Sequence, residues 1–546
     1  MTNSYPVPFT EVARRERPRR VLIVGTSALL AVVLAVGAAS RPADTIAART
    51  TATILLPMLN SPSAASLDPA AQADAGSAQV DSQLFESLTA IDAAQRVQPA
   101  LAASWETQLD GKRVIFHLRP GLTFSDGSAL KAADVVASWM RVLSPANPSQ
   151  LASLLDEVTG ARAYREGSGK KSAVGIQATS DKDIQVDMAS PAVDFPAIVS
   201  SPTLAVVPPG IDSNPRLLSP GSFVGSGAYV ITALSATETT LAANSHYWAG
   251  KPAITTIHLL SSLGGASPVD EFQAGRLDYT PIEGGDATWV AYDKTLGASL
   301  RVEPSPSVEF YGFDTTKAPF SDVHVRRAFE LGIDWSRIVM LKGDPLRVRA
   351  TGMVPAGVPG HSVTDFGPKL DLATAKSELA AAGFPNGVGF PKITLVTTGT
   401  DLDAAIIRQL HDNLGIDISY RILDWDTYNN QLLHDPPAFW QMDWVADYPG
   451  ANDFLGLLLG SGQPNNFGRW SNSAFDTAIA HALAATETGS MQQSFDAAQA
   501  IVSDQAPVIP VDYGAGYTLA AKGLLGALPN SEGLVRYAGL AWATGS

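Results

Sequence analysis

The carboxylate of Asp447 is the group in this 546-residue chain whose surroundings best suggest chemistry, because it stands among aromatic residues in the run 444–448, WVADY. Aromatic walls lower the local dielectric constant and present negative ring faces, so a carboxylate between them is suited to bind an ammonium group. The competing interpretation is structural: the aromatic side chains fill a core, and Asp447 caps a turn before Pro449. Residue types alone leave both interpretations open.

Sequence motifs of catalysis are absent. The chain has no GxSxG elbow, no Walker A loop, no GxGxxG fingerprint and no HExxH pair. It contains no cysteine, which excludes disulfides, thiolate metal ligands and cysteine nucleophiles. No two of its eight histidines are three or four residues apart, so the spacing gives no sign of a preformed metal pair. These absences predict a protein that is not an enzyme and that holds neither a metal nor another cofactor.

The elements that must position a site show their patterns best in residues 99–138. Between Arg113 and Leu118 the side chains alternate between an apolar face and a second face, which predicts a half-buried strand. From about Ala132 the apolar residues recur at helical spacing instead, which predicts an amphipathic helix. Residues 60–79, rich in Ala, Ser, Pro and Asp, predict a linker.

Strand and helix patterns interleave along the rest of the chain, and this mixture predicts α/β lobes. The further segments with these periodicities are 184–188, 255–260 and 392–397 for strands, and 372–382, 402–414 and 474–484 for helices.

Size and charge limit the class of protein. The chain is too long for one hydrophobic core, so two or three lobes of ~100 to 200 residues each are expected. Hydrophobic residues make up 45% and charged residues 17% of the chain, as in globular proteins. Five of the 38 basic residues lie in the first 20 positions, and beyond residue 39 the chain has 33 basic and 51 acidic residues. That acidic balance argues against nucleic acid as a partner, because phosphates require a basic surface.

The amino-terminal residues have the pattern of a membrane segment. Residues 1–20 form a basic segment with five arginines, and residues 21–39 form an apolar run without a charge. At ~1.5 Å per residue that run nearly spans a bilayer, with the arginines on the cytoplasmic side. We predict a transmembrane anchor followed by a linker at 40–53. The alternative left open is a signal segment that is cleaved near the small residues 35–40.

Short motifs occur in a definite order along the chain. They are PALA (99–102), SWE (104–106), FHLR (116–119), FSDG (124–127), ADVV (133–136), GSGAY (225–229), NSHYWAGKP (244–252), AGRLD (274–278), VEFYGFDTTKAPFSDVHVRRAFELGIDWSRI (308–338), AAAGF (380–384), WVADY (444–448) and APVIP (506–510). Together they resemble family 5 extracytoplasmic solute-binding proteins, the peptide and nickel receptors of ABC importers. The resemblance covers roughly Ile54 to Tyr517 and is nearest to the oligopeptide-binding members at 317–320, KAPF.

The resemblance implies an α/β fold of two lobes, with the ligand enclosed between them. This is the periplasmic-binding-protein-like fold of type II, cluster C, with an extra inserted subdomain. The implied boundaries are 54–95, 205–311 and 512–546 for lobe I, 96–204 for the inserted subdomain, and 312–511 for lobe II.

The same resemblance assigns roles to residues near Asp447. In oligopeptide-binding relatives the aspartate of the W-x-A-D motif holds the peptide α-amine and its tryptophan lines a side-chain pocket; these roles carry over to Asp447 and Trp444. A second pocket tryptophan matches Trp425, and Tyr448 beside the aspartate completes the expected ligand-binding set. Where relatives can carry an arginine for a peptide carboxylate, this chain has Gln441, which donates hydrogen bonds without a positive charge.

These expectations describe a receptor and not a catalyst. We predict a monomeric extracytoplasmic solute-binding protein that captures short peptides through main-chain and α-amine contacts and delivers them to ABC permease subunits. Many relatives are anchored by a lipid on an amino-terminal cysteine; this chain lacks it, so the run 21–39 is the available anchor to the outer face of the membrane. Cleavage of that run would leave a periplasmic or secreted protein. The alternatives left open are another solute, such as a nickel chelate, haem or a glycan, and a tethered sensor or chaperone without transport.

Overall fold

The structure is a computed structural model, and it describes residues 49–55, 67–72, 75–146, 149–344, 347–399, 402–485, 487–530 and 532–543. These residues belong to one compact unit, Ala48–Ser546. The predicted basic segment 1–20, the apolar run 21–39 and most of the linker 40–53 lie outside the described residues. Within the described ranges no helix combines the length and the apolar character that crossing a membrane requires.

Some strands, such as Arg113–Leu118 and Asp183–Asp187, alternate buried and half-buried side chains, as in a sheet with one face on a core, whereas Val508–Ala520 is buried over most of its length. Those of the described residues are β1 (Thr51–Leu55), β2 (Thr89–Ile91), β3 (Val97–Pro99), β4 (Ala102–Gln108), β5 (Arg113–Leu118), β6 (Ile176–Ala178), β7 (Asp183–Asp187), β8 (Tyr229–Leu234), β9 (Glu238–Ala243), β10 (Thr256–Leu260), β11 (Tyr279–Ile282), β12 (Leu300–Phe313), β13 (Val348–Arg349), β14 (Thr394–Thr397), β15 (Ser419–Ile422), β16 (Phe439–Val445), β17 (Val508–Ala520), β18 (Leu524–Leu525) and β19 (Ala541–Trp542).

Several helices begin at a residue whose side chain accepts a hydrogen bond from a first-turn N–H group, such as Asp371 and Asn472. The helices of the described residues are α1 (Ala75–Leu84), α2 (Ala132–Val142), α3 (Ala161–Arg165), α4 (Phe195–Ile198), α5 (Pro268–Gln273), α6 (Gly284–Val290), α7 (Val323–Gly332), α8 (Trp335–Leu341), α9 (Leu372–Ala381), α10 (Asp403–Leu414), α11 (Trp425–His434), α12 (Ala451–Phe454), α13 (Gly456–Leu459), α14 (Ser473–Ala484) and α15 (Thr488–Gln505).

One mixed sheet of eleven strands joins the early and late parts of the chain. Its order is β15-β14-β16-β12-β17-β11-β1-β10-β9-β8, and β13 pairs with β17. The antiparallel strands β12 and β17, of 14 and 13 residues, lie in the middle and pair with each other. A separate four-stranded sheet has the order β4-β5-β7-β6.

The separate sheet has its own core, and the predictions for this region are confirmed. Strand β5 has the predicted bounds, and Phe116 on it is fully buried. Helix α2 begins at the predicted Ala132 and buries Trp139, whose ring meets the rings of Phe116 and Phe195 edge to face. The six other predicted segments are also found, with starting residues within two positions of the predicted ones.

The linker predicted at 60–79 is wrong from Pro69 onward. A 3-10 turn spans Pro69–Ala71, and helix α1 begins at Ala75. The small residues that suggested a linker instead let the helix lie close to the carboxyl-terminal segment, where Gln79 Nε2 donates to the Val535 carbonyl at 2.8 Å. The first strand likewise begins at Thr51, inside the linker predicted at 40–53, so that linker ends earlier than predicted.

An ionic network lies where β12 and β17 pair. Asp512 on β17 is fully buried opposite Glu309 on β12. Its carboxylate accepts a hydrogen bond from Arg347 Nη1 at 2.7 Å and contacts the ammonium of Lys342, which also lies 2.5 Å from Glu309 Oε2. The register of the two strands shifts between Pro304 and Val308, and again after Glu309, so the pairing is irregular beside the network.

Candidate functional site

Asp447 lies just past the end of strand β16, where the backbone leaves the sheet. Trp444 still pairs with Val308 on β12, and the N–H of Ala446 donates to the Pro306 carbonyl at 3.0 Å. The next residue, Asp447, is half-buried and turns away from the strand. The end of an inner strand of the main sheet thus fixes the main chain next to this carboxylate, as a preorganised binding group requires.

Asp453 supports Asp447 from behind. This residue of helix α12 is fully buried. Its Oδ2 accepts hydrogen bonds from the indole N–H of Trp444 at 3.0 Å and from the main-chain N–H of Asp447 at 3.2 Å. Oδ1 of Asp453 is shielded from solvent and has no hydrogen-bond partner among the described residues. The polar end of Trp444 is therefore committed to holding the loop, and its half-buried ring packs against the core that contains Trp440 and Phe454.

Three cavities that share lining residues lie beside this loop and beside Glu532. Cavity A, of about 210 Å³, is lined by Gln72 and Ala78, by residues of 150–154 and 201–202, by Ala446 and Asp447, and by Glu532 and Leu534. Cavity B, of about 560 Å³, shares Asp447 and Leu154 with cavity A. Cavity C, of about 390 Å³, shares Glu532 and Leu534 with cavity A. Asp447 thus borders cavities A and B, and Glu532 borders cavities A and C.

The space around Asp447 is acidic. Burial raises the pKa of Asp447 to about 6. Burial, and then the charge of Asp447, raise the pKa of Glu532 to about 8 and the pKa of Asp453 well above its usual range. None of the residues that line cavity A is a lysine, an arginine or a histidine. Such a cavity is chemically suited to a cationic group, which would lower the free energy of each ionised carboxylate.

Tyr448 connects this loop to the region of the separate four-stranded sheet. Its ring is buried in the core that contains Phe116, and its hydroxyl donates to Asp194 Oδ2 at 2.5 Å. Asn452 Nδ2 donates to the Tyr448 hydroxyl at 3.0 Å. Tyr448 lines cavity B, so this one residue both borders the space and joins two parts of the fold.

Trp425 and Gln441 lie apart from these cavities. Trp425 is the first residue of α11, is 56% exposed and has its ring centre 6.4 Å from that of Tyr428. Gln441 is buried in β16, where its main-chain N–H donates to the Tyr428 hydroxyl at 3.1 Å. Neither residue borders any of the three cavities. The structure thus places Asp447, Trp444 and Tyr448 side by side at the end of β16, where Asp447 and Tyr448 border cavities and Trp444 does not. The ligand roles of all five residues stay predictions.

Sequence reasoning missed the acidic partners of Asp447. Asp453 follows it by six residues and could have been noted as part of the same loop. Asp194 and Glu532 lie far from it in the chain, and no local pattern marks them. Their proximity is a product of the tertiary fold.

A family model described as bacterial extracellular solute-binding proteins, family 5 Middle, matches residues 96–466 of the chain. The chain belongs to this family. The predicted resemblance is therefore confirmed, and the function of the family is to bind solutes outside the cytoplasm.

Individual relatives of this family 5 protein cover most of its length. The probable deoxycholate-binding periplasmic protein YgiS of Escherichia coli (strain K12) is 30% identical over 462 residues, which are 82% of this chain and 85% of that protein. The oligopeptide-binding protein OppA of Bacillus subtilis (strain 168) is 27% identical with the same coverage. These relatives are named for solutes of different chemistry, so family membership alone does not define the ligand.

Solved structures confirm the predicted two-lobed α/β fold of the family. The unliganded open form of the murein tripeptide binding protein MppA superposes with a TM-score of 0.77 at 24% identity, over 90% of this chain and 97% of that one. The OppA of Haemophilus influenzae in complex with RPPGFSPFR has a TM-score of 0.70 at 21% identity, over 90% of this chain and 99% of that one.

Proposed function

We propose that this protein captures short peptides outside the cytoplasm and delivers them to the permease of an ABC importer, with the peptide α-amine held at Asp447. Cavity A is the observation that carries the proposal. Two carboxylates, Asp447 and Glu532, line it without a basic side chain among the other lining residues. Burying an uncompensated carboxylate is costly, so a ligand that supplies an ammonium group is favoured.

The charge of cavity A also weighs against two ligand classes found among the relatives. The relative YgiS is named as a deoxycholate-binding protein, and Heme-binding protein A of Haemophilus influenzae is 26% identical over 452 residues. Deoxycholate and haem both carry carboxylates, which the acidic lining of cavity A would repel. Among the described residues no group of three or more His, Asp or Glu side chains has a geometry that could hold a metal ion. A peptide amine is the ligand group that fits this lining best.

The domain organisation that suits this function has the ligand between two lobes. We assign 54–95, 205–311 and 512–546 to lobe I, 96–204 to an inserted subdomain and 312–511 to lobe II. The boundaries near 311 and 511 fall in β12 and β17, which pair in the middle of the main sheet. Cavity A then has lining residues from all three parts, as a space that closes around a ligand should. In this proposal the protein works as a monomer and acts by binding alone, without catalysis.

Calorimetric titration of the unmodified protein with a small ligand panel tests the proposal. We expect a tripeptide with a free α-amine to bind, its N-acetylated form to bind more weakly by about a hundredfold or more, and deoxycholate not to bind, because only the first ligand supplies a cation. Mass spectrometry of the ligand that co-purifies with the protein is an independent check. Equal affinity for the free and acetylated peptides, or binding of deoxycholate alone, would contradict the proposal.

We further propose that the amino-terminal segment tethers the protein to the membrane. Five arginines precede 19 uncharged residues at 21–39, a pattern that favours insertion with the arginines in the cytoplasm. Fractionation of cells should place the full-length chain with the membranes, and a shortened chain starting near Thr50 in the soluble fraction. A native protein found only in soluble, shortened form with its amino terminus near Ser40 would contradict the anchor and leave the receptor function intact.

A further inference from the structure

Glu532 lines cavity A and lies in a turn that hydrogen bonds stabilise. Asn530 holds this turn: its Oδ1 accepts hydrogen bonds from the N–H groups of Glu532 at 3.0 Å and Leu534 at 2.9 Å, and its carbonyl accepts one from Gly533 at 3.0 Å. An asparagine that bonds its own following backbone in this way fixes a turn locally. The main chain at Glu532 is therefore held in place before any ligand arrives.

Further hydrogen bonds fix the segment that follows this turn to helix α1. The N–H of Val535 donates to Gln79 Oε1 at 2.8 Å, and Gln79 Nε2 donates back to the Val535 carbonyl at 2.8 Å. Gln83 Nε2 adds a third bond to the same carbonyl at 3.0 Å. These bonds are buried, so they hold the segment firmly against the helix. The turn with Glu532 consequently behaves as part of the scaffold.

The carboxyl group itself has no partner in the described ranges of the chain, and a cation bound beside it would lower its pKa from about 8 and favour its ionised form. Oε1 of Glu532 is shielded from solvent and has no hydrogen-bond partner among the described residues. Asp453 is fully buried directly behind Asp447, and its Oδ1 likewise is shielded from solvent and has no hydrogen-bond partner in the part of the chain that the structure describes. The charge of Asp447 contributes to the raised pKa of Glu532, which places the two carboxyl groups within electrostatic reach of each other. A glutamate that served only to stabilise the turn would not need a shielded carboxyl group near Asp447.

One α-ammonium group compensates one carboxylate, and cavity A offers two. We infer that Glu532 is a second cation-binding carboxylate and that the site therefore selects ligands with two positive charges at their amino-terminal end, namely peptides whose first residue is lysine or arginine. This inference rests on the proposed function, in which Asp447 holds the α-amine. Leu151, Leu154 and Leu534 line the same cavity and supply apolar surface for the methylene stem of such a side chain.

The test compares Lys-Ala-Ala with norleucine-Ala-Ala, whose first side chain has a similar length but no charge. We expect the unmodified full-length protein to bind the lysine peptide about ten- to a hundredfold more tightly, the size expected of a hydrogen bond between charged groups in a dry site. In Glu532→Gln the preference should fall below about threefold, because the second carboxylate is gone, while the affinity for the norleucine peptide should be retained. The exposed Glu487→Gln, whose residue borders none of the three cavities, serves as the matched control and should keep the preference.

The outcomes separate this inference from the function on which it rests. Retained norleucine-peptide binding by Glu532→Gln shows that the variant is folded. Equal affinity of the unmodified protein for the two peptides, or an unchanged preference in Glu532→Gln, would overturn the role of Glu532; if N-acetylation still weakened binding, the peptide-receptor function would stand. If no peptide bound to the unmodified protein, both proposals would fail together.

Discussion

Replacement of Asp447 by alanine is expected to weaken the binding of a free-amine tripeptide by about a hundredfold or more. The change removes one partner of a buried charge pair, which costs on the order of 3 to 5 kcal/mol because the other charge is left desolvated. Isothermal titration calorimetry at pH 7.5 measures the loss. At that pH the carboxyl group is ionised, since its pKa is raised only to about 6, and affinity should decline as the pH falls below that value.

The same experiment with N-acetylated peptide completes a thermodynamic cycle. Acetylation of the peptide should cost the unmodified protein about as much as the Asp447→Ala substitution does. The two changes together should cost little more than either one, because both remove the same interaction. Asp417→Ala is a suitable control, since that side chain is 87% exposed. Additive losses would show that the amine binds elsewhere and would remove Asp447 from its assigned role.

The second large effect is expected on stability. Asp512→Ala should lower the free energy of unfolding by about 3 kcal/mol. The substitution removes one of the two carboxylates that compensate the charges of Lys342 and Arg347. Asp512 is fully buried and lies on β17 in the middle of the main sheet. Both sides of the sheet should therefore unfold at a lower midpoint concentration of denaturant. Guanidinium titrations followed by circular dichroism and tryptophan fluorescence measure this shift.

Asp504→Ala is the matched control for that substitution. Its side chain is 70% exposed, and its contact with Arg327 spans 3.5 Å, so its loss should change stability by less than about 1 kcal/mol. A midpoint for Asp512→Ala close to that of the control would mean that Glu309 alone compensates the two cations. In that case the network would be less important to the sheet than its burial indicates.

Local patterns predicted the elements whose periodicity is set by a single buried face. Strand β5 and helix α2 are examples, since Val114, Phe116 and Trp139 all face one core. Helix α1 was missed because its small residues carry little amphipathic signal, and its stability comes from contacts with Val535, more than 450 positions away. Sequence periodicity contains no record of a partner at that distance.

The same distinction between local and distant partners applies to the residues of the candidate site. Asp447, Trp444 and Tyr448 could be named because they are neighbours in one motif. Glu532 and Asp194 could not, because each reaches the loop only through the folding of a different segment. The interpretation of Asp447 as a mere turn cap is also weakened by the structure, since Asp453 supplies the bonds that hold the loop and the carboxylate of Asp447 borders the cavities.

The central pairing of β12 with β17 has a mechanical consequence. Because both long strands lie side by side in one sheet, any relative motion of the two sides must bend or twist a hydrogen-bonded ribbon, which is stiff to stretching and to sideways shear. The irregular pairing around 304–309 is the most compliant part of that ribbon. We therefore expect the two sides to move along essentially one coordinate, so that distances between different pairs of labels across the cleft would change in a fixed ratio.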